Sequence, residues 1–307
     1  MDEKRRRVVS LLALLGAAPL LLPLEGLAQQ QGSLTTKEIP SSGERLPAVG
    51  LGSWMTFNVG RDERLRDECT AVVKAFLDSG GRLIDSSPMY GSSQEVIGYA
   101  LSKLRAASRV FSADKVWISS GEEGPSQIEE SRRHWGVPKF DLLQVHNLLA
   151  WEDHLPTLFR MRAAGRLRYV GVTTSHGRRH DELERVMKTM PLDFVQLTYN
   201  PVDREVERRL LPLARERGIA VIVNRPFQQG DLIRRAARQA IPGWAAETGA
   251  RTWAQVILKF IISHPSVTCA IPATSNPAHA RENLDAARGT TPDEAMRGWI
   301  ANHLARL

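Results

Sequence analysis

Eight short apolar runs, separated by amphipathic stretches, constrain this chain more than any other feature. They are Ala48–Ser53, Arg82–Ser86, Val110–Trp117, Asp141–His146, Arg168–Thr173, Asp193–Tyr199, Ile219–Asn224 and Val267–Ile271. Most are rich in Val, Ile and Leu and lack polar alternation, the pattern of parallel strands covered on both faces. Helical patterns fall between them. Val72, Val73, Phe76 and Leu77 share one face, and Gly80-Gly81 ends that helix; Val96, Ile97, Ala100, Leu101 and Leu104 repeat the pattern. Ser126–Trp135, Leu155–Ala164, Asp181–Thr189, Glu205–Arg217 and Thr252–His264 continue it. Asn276-Pro277 then opens a helix to Ala287, a cap residue followed by Pro in the first turn, and a last helix starts near Pro292. Eight such units in 307 residues predict an α/β chain folded as a single (β/α)8 TIM barrel. An open doubly wound sheet is the alternative, and no Gly-x-Gly-x-x-Gly follows an early strand to favour it. The segment Leu34–Pro47, with a Ser42-Gly43 turn, predicts a small hairpin plugging the barrel bottom.

Residues 1–28 read differently. Lys4-Arg5-Arg6-Arg7 is followed by the apolar stretch Val8 to Leu24, and Gly26-Leu27-Ala28 places small residues where a signal peptidase cuts. Pro19 and Pro23 would break a spanning helix, so no stable membrane span is expected after cleavage. The consecutive arginines resemble a twin-arginine signal. The expected organisation is a signal peptide over 1–28 and a barrel domain over 29–307, periplasmic or otherwise exported by the cell's export machinery, with the general secretory route as the alternative to the twin-arginine one.

The formal net charge is +7, but the basic residues are scattered and sit near acids, as in Arg204-Glu205-Val206-Glu207-Arg208-Arg209. No basic stripe with interleaved aromatics argues for nucleic acid as a partner. Only two cysteines occur, Cys69 in a helical pattern and Cys269 in an apolar strand, and both read as small core side chains. That usage predicts neither a disulfide framework nor a metal site.

Reactive groups of such barrels project from the C-terminal ends of strands. Asp85, Lys115 and His146 lie at or near the ends of the second, third and fourth runs, and Tyr90 follows in the loop after Asp85. Neighbouring strands are about 4.8 Å apart, so inward-pointing side chains from these ends can meet. Singly, each has an ordinary structural use: a cap, a solvated amine, a core imidazole, a packed ring. Together, an acid, an amine, an imidazole and a phenol converge on one face.

Those four residues lie within longer stretches: Ile84-Asp85-Ser86-Ser87-Pro88-Met89-Tyr90-Gly91, Ala113-Asp114-Lys115-Val116-Trp117 and Asp141-Leu142-Leu143-Gln144-Val145-His146-Asn147. Gly50-Leu51-Gly52-Ser53-Trp54, Gly171-Val172-Thr173, Asp193-Phe194-Val195-Gln196 and Ile271-Pro272 add to them. On these stretches rests a resemblance to the aldo-keto reductase family. It implies that Asp85, Tyr90, Lys115 and His146 are the family's catalytic tetrad. In those roles Tyr90 is the proton donor to a small-molecule carbonyl substrate, and Lys115 lowers the phenol's pKa. Asp85 holds Lys115, while His146 orients the carbonyl oxygen.

It also implies NADP as cofactor, with NAD as the alternative. The cofactor contacts implied are Ser53, Trp54, Asp85, Thr173, Thr174, Gln196, Asn224, Arg225, Thr274, His279 and Asn283. The family's Lys and Arg at the 2′-phosphate are replaced by Ala273 and His279, its stacking aromatic by Asn224, and its Ser-Asn pair by Thr173-Thr174. Gln196 matches the carboxamide contact, and Arg225 adds a positive group. The long C-terminal loop of many members is not expected, which implies an open and permissive pocket walled by Trp54 and Trp151. A cofactor-bearing or sensing barrel with negligible turnover is the competing function, and the complete set of four favours the enzyme. For the leader, changing Arg5, Arg6 and Arg7 to Lys is expected to leave unprocessed protein in the cytoplasm. Fractionation and immunoblotting check this; unchanged export overturns the twin-arginine reading.

Overall fold

A computed structural model describes residues 33–307, and the signal peptide read at residues 1–28 lies outside the described residues. The described chain opens with an antiparallel hairpin, β1 (Thr36–Glu38) and β2 (Arg45–Pro47). Eight parallel strands follow: β3 (Leu51–Gly52), β4 (Leu83–Asp85), β5 (Phe111–Val116), β6 (Phe140–Val145), β7 (Leu167–Thr173), β8 (Phe194–Thr198), β9 (Ala220–Asn224) and β10 (Cys269–Ala270). Each pairs with its sequence neighbour. Bridges Val49↔Ala270 and Gly52↔Ala273 bring the first and last of them together, so the sheet closes on itself as a (β/α)8 barrel. Gly50 N donates to Ala270 O at 2.8 Å and Gly52 N to Pro272 O at 3.0 Å along this seam.

The helices are α1 (Glu63–Asp78), α2 (Ser93–Leu104), α3 (Gly124–Trp135), α4 (Trp151–Ala163), α5 (His180–Thr189), α6 (Leu210–Glu216), α7 (Asp231–Ala236), α8 (Trp253–Ile262), α9 (Pro277–Asp285) and α10 (Glu294–Leu304). Their starts follow local chemistry. Asp62, Thr252, Asn276 and Asp293 each accept a backbone N–H of the first turn through the side chain. The helix expected over Glu205–Arg217 is instead a 3-10 turn, Glu205–Arg208, then α6, with Arg209 between them at φ −137° and ψ −52°. Pro212 explains the break: it is tolerated only in a first turn, so the helix restarts just before it. The pattern reading also missed α7 and the 3-10 turn Gly243–Thr248, which occupy the long connection after β9.

The interior and exterior of the barrel hold separate apolar clusters. Inside are Leu83, Phe111, Ala113, Leu142, Tyr169, Phe194, Ala220, Ile222, Cys269 and Ile271, together with Ile39 and Leu46 from the hairpin. The hairpin therefore plugs the floor. Its Glu44 accepts from Arg82 at 3.2 Å and from Tyr169 Oη at 3.0 Å, and pairs with Arg168, which tie it to β7 and to the residue before β4. Along each strand the inward positions run from apolar at the floor to polar at the top. Phe111, Ala113 and Lys115 do so on β5; Phe194, Gln196 and Thr198 on β8; Tyr169, Gly171 and Thr173 on β7.

Closure of the seam needs a bare backbone at Gly52. A Cβ there would stand 2.7 Å from the carbonyl oxygen of Ile271. Gly52→Ala is expected to lower stability by about 1–3 kcal/mol, the usual cost of overpacking a well-packed site. A urea titration measures it, and an unshifted midpoint contradicts the close approach.

Candidate active site

The loop after β4 is built to present a phenol. Ser87 is extended and its side chain accepts Met89 N at 3.2 Å; Pro88 then starts the 3-10 turn Pro88–Tyr90. Gly91 ends the turn at φ 60° and ψ −126°, a conformation that L side chains rarely adopt. Tyr90 is thereby held half-buried at the wall of a cavity of about 410 Å³.

Beneath it lies a buried ion pair. Lys115 Nζ donates to Asp85 Oδ2 at 2.6 Å and to the carbonyl of Ser86 at 2.7 Å. The other oxygen of Asp85 accepts from Gln196 Nε2 at 2.8 Å and Gln144 Nε2 at 3.4 Å. Lys115 Nζ is 5.2 Å from the centroid of the Tyr90 ring. His146 meets that ring edge-on, with centroids 5.7 Å apart, and its Nδ1 is 2.8 Å from Ser87 Oγ. The structure thus brings Asp85, Tyr90, Lys115 and His146 together at one end of the barrel.

The electrostatics follow from burial and from this pair. Burial is the largest influence on Lys115 and works against its charge; the opposite charge and hydrogen bond of Asp85, with smaller contributions from its neighbours, together hold the ammonium above its ordinary value. Burial likewise pushes the Tyr90 phenol up. Lys115 pulls the other way and does not cancel it, so the expected lowering of this pKa gives way to a net rise. Burial first, and repulsion from Lys115 second, hold His146 down to about 2, so its imidazole is neutral.

The cavity is lined by Ser53, Trp54, Asp85, Thr173, Thr174, Gln196, Asn224 and Arg225 from the implied cofactor set. Thr274, His279 and Asn283 do not line it; they lie beyond β10, before and along α9, with Thr274 and Asn283 buried and His279 exposed. Trp151 is also not a wall of the cavity: its Nε1 donates to Glu182 at 3.0 Å. Asn224, read at the position of a stacking aromatic, is tied on both sides. It accepts from Thr198 Oγ1 at 2.7 Å and donates to Thr174 O at 2.9 Å. The hydroxyl of Thr174 is buried without a partner. An unsatisfied hydroxyl at a cavity wall fits a polar ligand group such as a carboxamide.

Several residues at this site carried no role in the sequence reading: Ser87, Gln144, Met55, Met89 and His176. Gln144 was findable, because it lies two positions before His146 on the inward face of β6. Met55 and His176 are placed by backbone at φ 62° in loops, which no periodicity signals.

A family model described as "Aldo/keto reductase family" matches residues 48–300. The chain belongs to the aldo/keto reductase family. A methylglyoxal reductase of Escherichia coli, YeaE, is 30% identical over 255 residues, covering 80% of this chain and 88% of the relative. An NADH-specific methylglyoxal reductase of the same species is 27% identical over 236 residues, covering 65% of this chain and 69% of the relative. Among solved structures, an aldo/keto reductase from Klebsiella pneumoniae in complex with NADP and acetate superposes with a TM-score of 0.72 at 24% identity. That match covers 85% of this chain and 93% of the other, and is a likeness of fold.

The neutral imidazole has a consequence for stability in this aldo/keto reductase. Unfolded, His146 takes up a proton near 6.5; folded, it stays unprotonated down to about 2. The unfolded state thus binds more protons in acid, so stability falls as pH drops below about 6.5. His146→Gln is expected to flatten this acid limb. Urea midpoints from pH 7 to 4 check it; parallel curves for variant and wild type contradict it.

Proposed function

We propose that this chain catalyses reversible hydride transfer between NADP(H) and an aldehyde or ketone, with Tyr90 as the general acid in the reducing direction. The observation that carries this reading is the buried Lys115–Asp85 ion pair beneath the Tyr90 ring, with His146 edge-on beside that ring. The methylglyoxal reductase relatives and the NADP-bound structural neighbour support the reaction class.

Reducing a carbonyl adds hydride to carbon and a proton to oxygen. The nicotinamide, when bound, supplies the hydride. This chain's own residues handle the oxygen. His146 donates a hydrogen bond to it and fixes its position. As negative charge develops there, the Tyr90 phenol transfers its proton. The phenolate left behind is stabilised by the adjacent Lys115 ammonium, which Asp85 keeps charged and in place.

Ser53, Trp54, Thr173, Thr174, Gln196, Asn224 and Arg225 would hold the nicotinamide half, with Thr174 offering its free hydroxyl. Thr274, His279 and Asn283, with the capped N-terminus of α9, would hold the adenosine phosphate. Ala273 and His279 leave that end without the family's two cations, which keeps NADH as the alternative reductant; one relative is named NADH-specific. The Arg5-Arg6-Arg7 leader supports action in the periplasm.

Tyr90→Phe is expected to bind cofactor normally and to lose carbonyl reduction by at least about 10²-fold, the lower range for removing a general acid. Steady-state rates on a panel of aldehydes with NADPH and NADH decide it. Turnover near wild type removes Tyr90 from its role. Cofactor binding without turnover in the wild type favours the sensing barrel instead.

A further inference from the structure

Ser87 is wholly buried and belongs to none of the roles above, yet its hydroxyl stands between two of the reacting groups. On one side Oγ accepts the backbone N–H of Met89, in the turn that carries Tyr90. On the other it lies 2.8 Å from Nδ1 of His146. A neutral imidazole bears a single N–H, and the partner of one nitrogen decides which nitrogen holds it.

Two arrangements satisfy the short contact. In the first, Ser87 Oγ–H donates to Nδ1, and the proton of the ring sits on Nε2. In the second, Nδ1–H donates to Oγ. The second makes Oγ a double acceptor, from Met89 and from His146, and leaves the buried hydroxyl proton with no acceptor. A buried donor without a partner is costly, whereas the first arrangement uses every group once. With Nδ1 turned to Ser87, Nε2 is the nitrogen left for the cavity that His146 lines.

We propose that Ser87 is a positioning residue that fixes His146 as the Nε2–H tautomer, so that the nitrogen facing the substrate oxygen is a donor. This rests on the carbonyl-reductase reading for its use, but not for its test. The same oxygen atom anchors the turn of Tyr90, so proton donor and hydrogen-bond donor are referenced to one buried hydroxyl.

Nitrogen-15 NMR of His146 in the full chain, assigned by its loss in His146→Gln, reads the tautomer without turnover. The expected result is a pyridine-type Nδ1 and a pyrrole-type Nε2 in wild type, and a mixture in Ser87→Ala. Ser87→Thr keeps the hydroxyl and suits the extended backbone at φ −164° and ψ 149°, so it should restore the wild-type pattern. In carbonyl reduction, Ser87→Ala should lower kcat by about five- to ten-fold, the worth of one hydrogen bond, with cofactor Kd unchanged. A pyrrole-type Nδ1 in the wild-type protein overturns the proposal, and so does a Ser87→Ala variant that keeps one pure tautomer. If the protein reduces no carbonyl at all, the NMR result still decides the role of Ser87.

Discussion

The ion pair between Lys115 and Asp85 is the interaction on which the site depends. Both groups are out of water, and a buried charge left alone would neutralise or unfold its surroundings. Here neither is alone. Asp85 receives Lys115 on one oxygen and two glutamine amides on the other, and Lys115 also has the carbonyl of Ser86. Removing either partner of such a pair typically costs about 3–5 kcal/mol, because the survivor stays buried and charged. The pair also sets the properties of its neighbours. It places a fixed positive charge under the Tyr90 ring, and that charge helps keep His146 neutral.

Much of this was legible from sequence, for a physical reason. In a closed barrel both faces of each strand are buried, so the strands read as apolar runs and the class of fold follows from eight of them. The four reacting side chains sit at run ends or in the adjoining loop, where the chain's own order locates them. What escaped the reading depends on backbone turns rather than on periodicity. Nine of the ten described non-glycine residues with positive φ lie in loops at the C-terminal ends of strands, among them Met55, Asn147, His176 and Arg225; only Arg105 lies elsewhere. Nothing in residue spacing announces such conformations. The split of the expected Glu205–Arg217 helix was legible after all, through Pro212. The direction of the Tyr90 pKa was not: it turns on burial, which competes with Lys115 and wins.

The concentration of left-handed backbone around the cavity has an energetic meaning. Such residues cost on the order of 1–2 kcal/mol each relative to relaxed backbone. They persist because neighbours over-determine them. Asn147, at φ 52°, has its N–H held by Thr173 Oγ1 at 2.9 Å and its carbonyl held by Arg179. The regular strands hold Asp85 and Lys115, while the loops above them carry Tyr90 and His146 and shape the opening, so the strained backbone places half of the reacting set.

The hairpin that seals the floor also divides the duties of one interior. Ile39 and Leu46 pack among the lowest interior side chains, so the barrel is filled from its floor upward and the cavity lies above that filling. Packing below and chemistry above share the same strands, so a change of volume at the floor is transmitted to the side chains that hold the reacting groups.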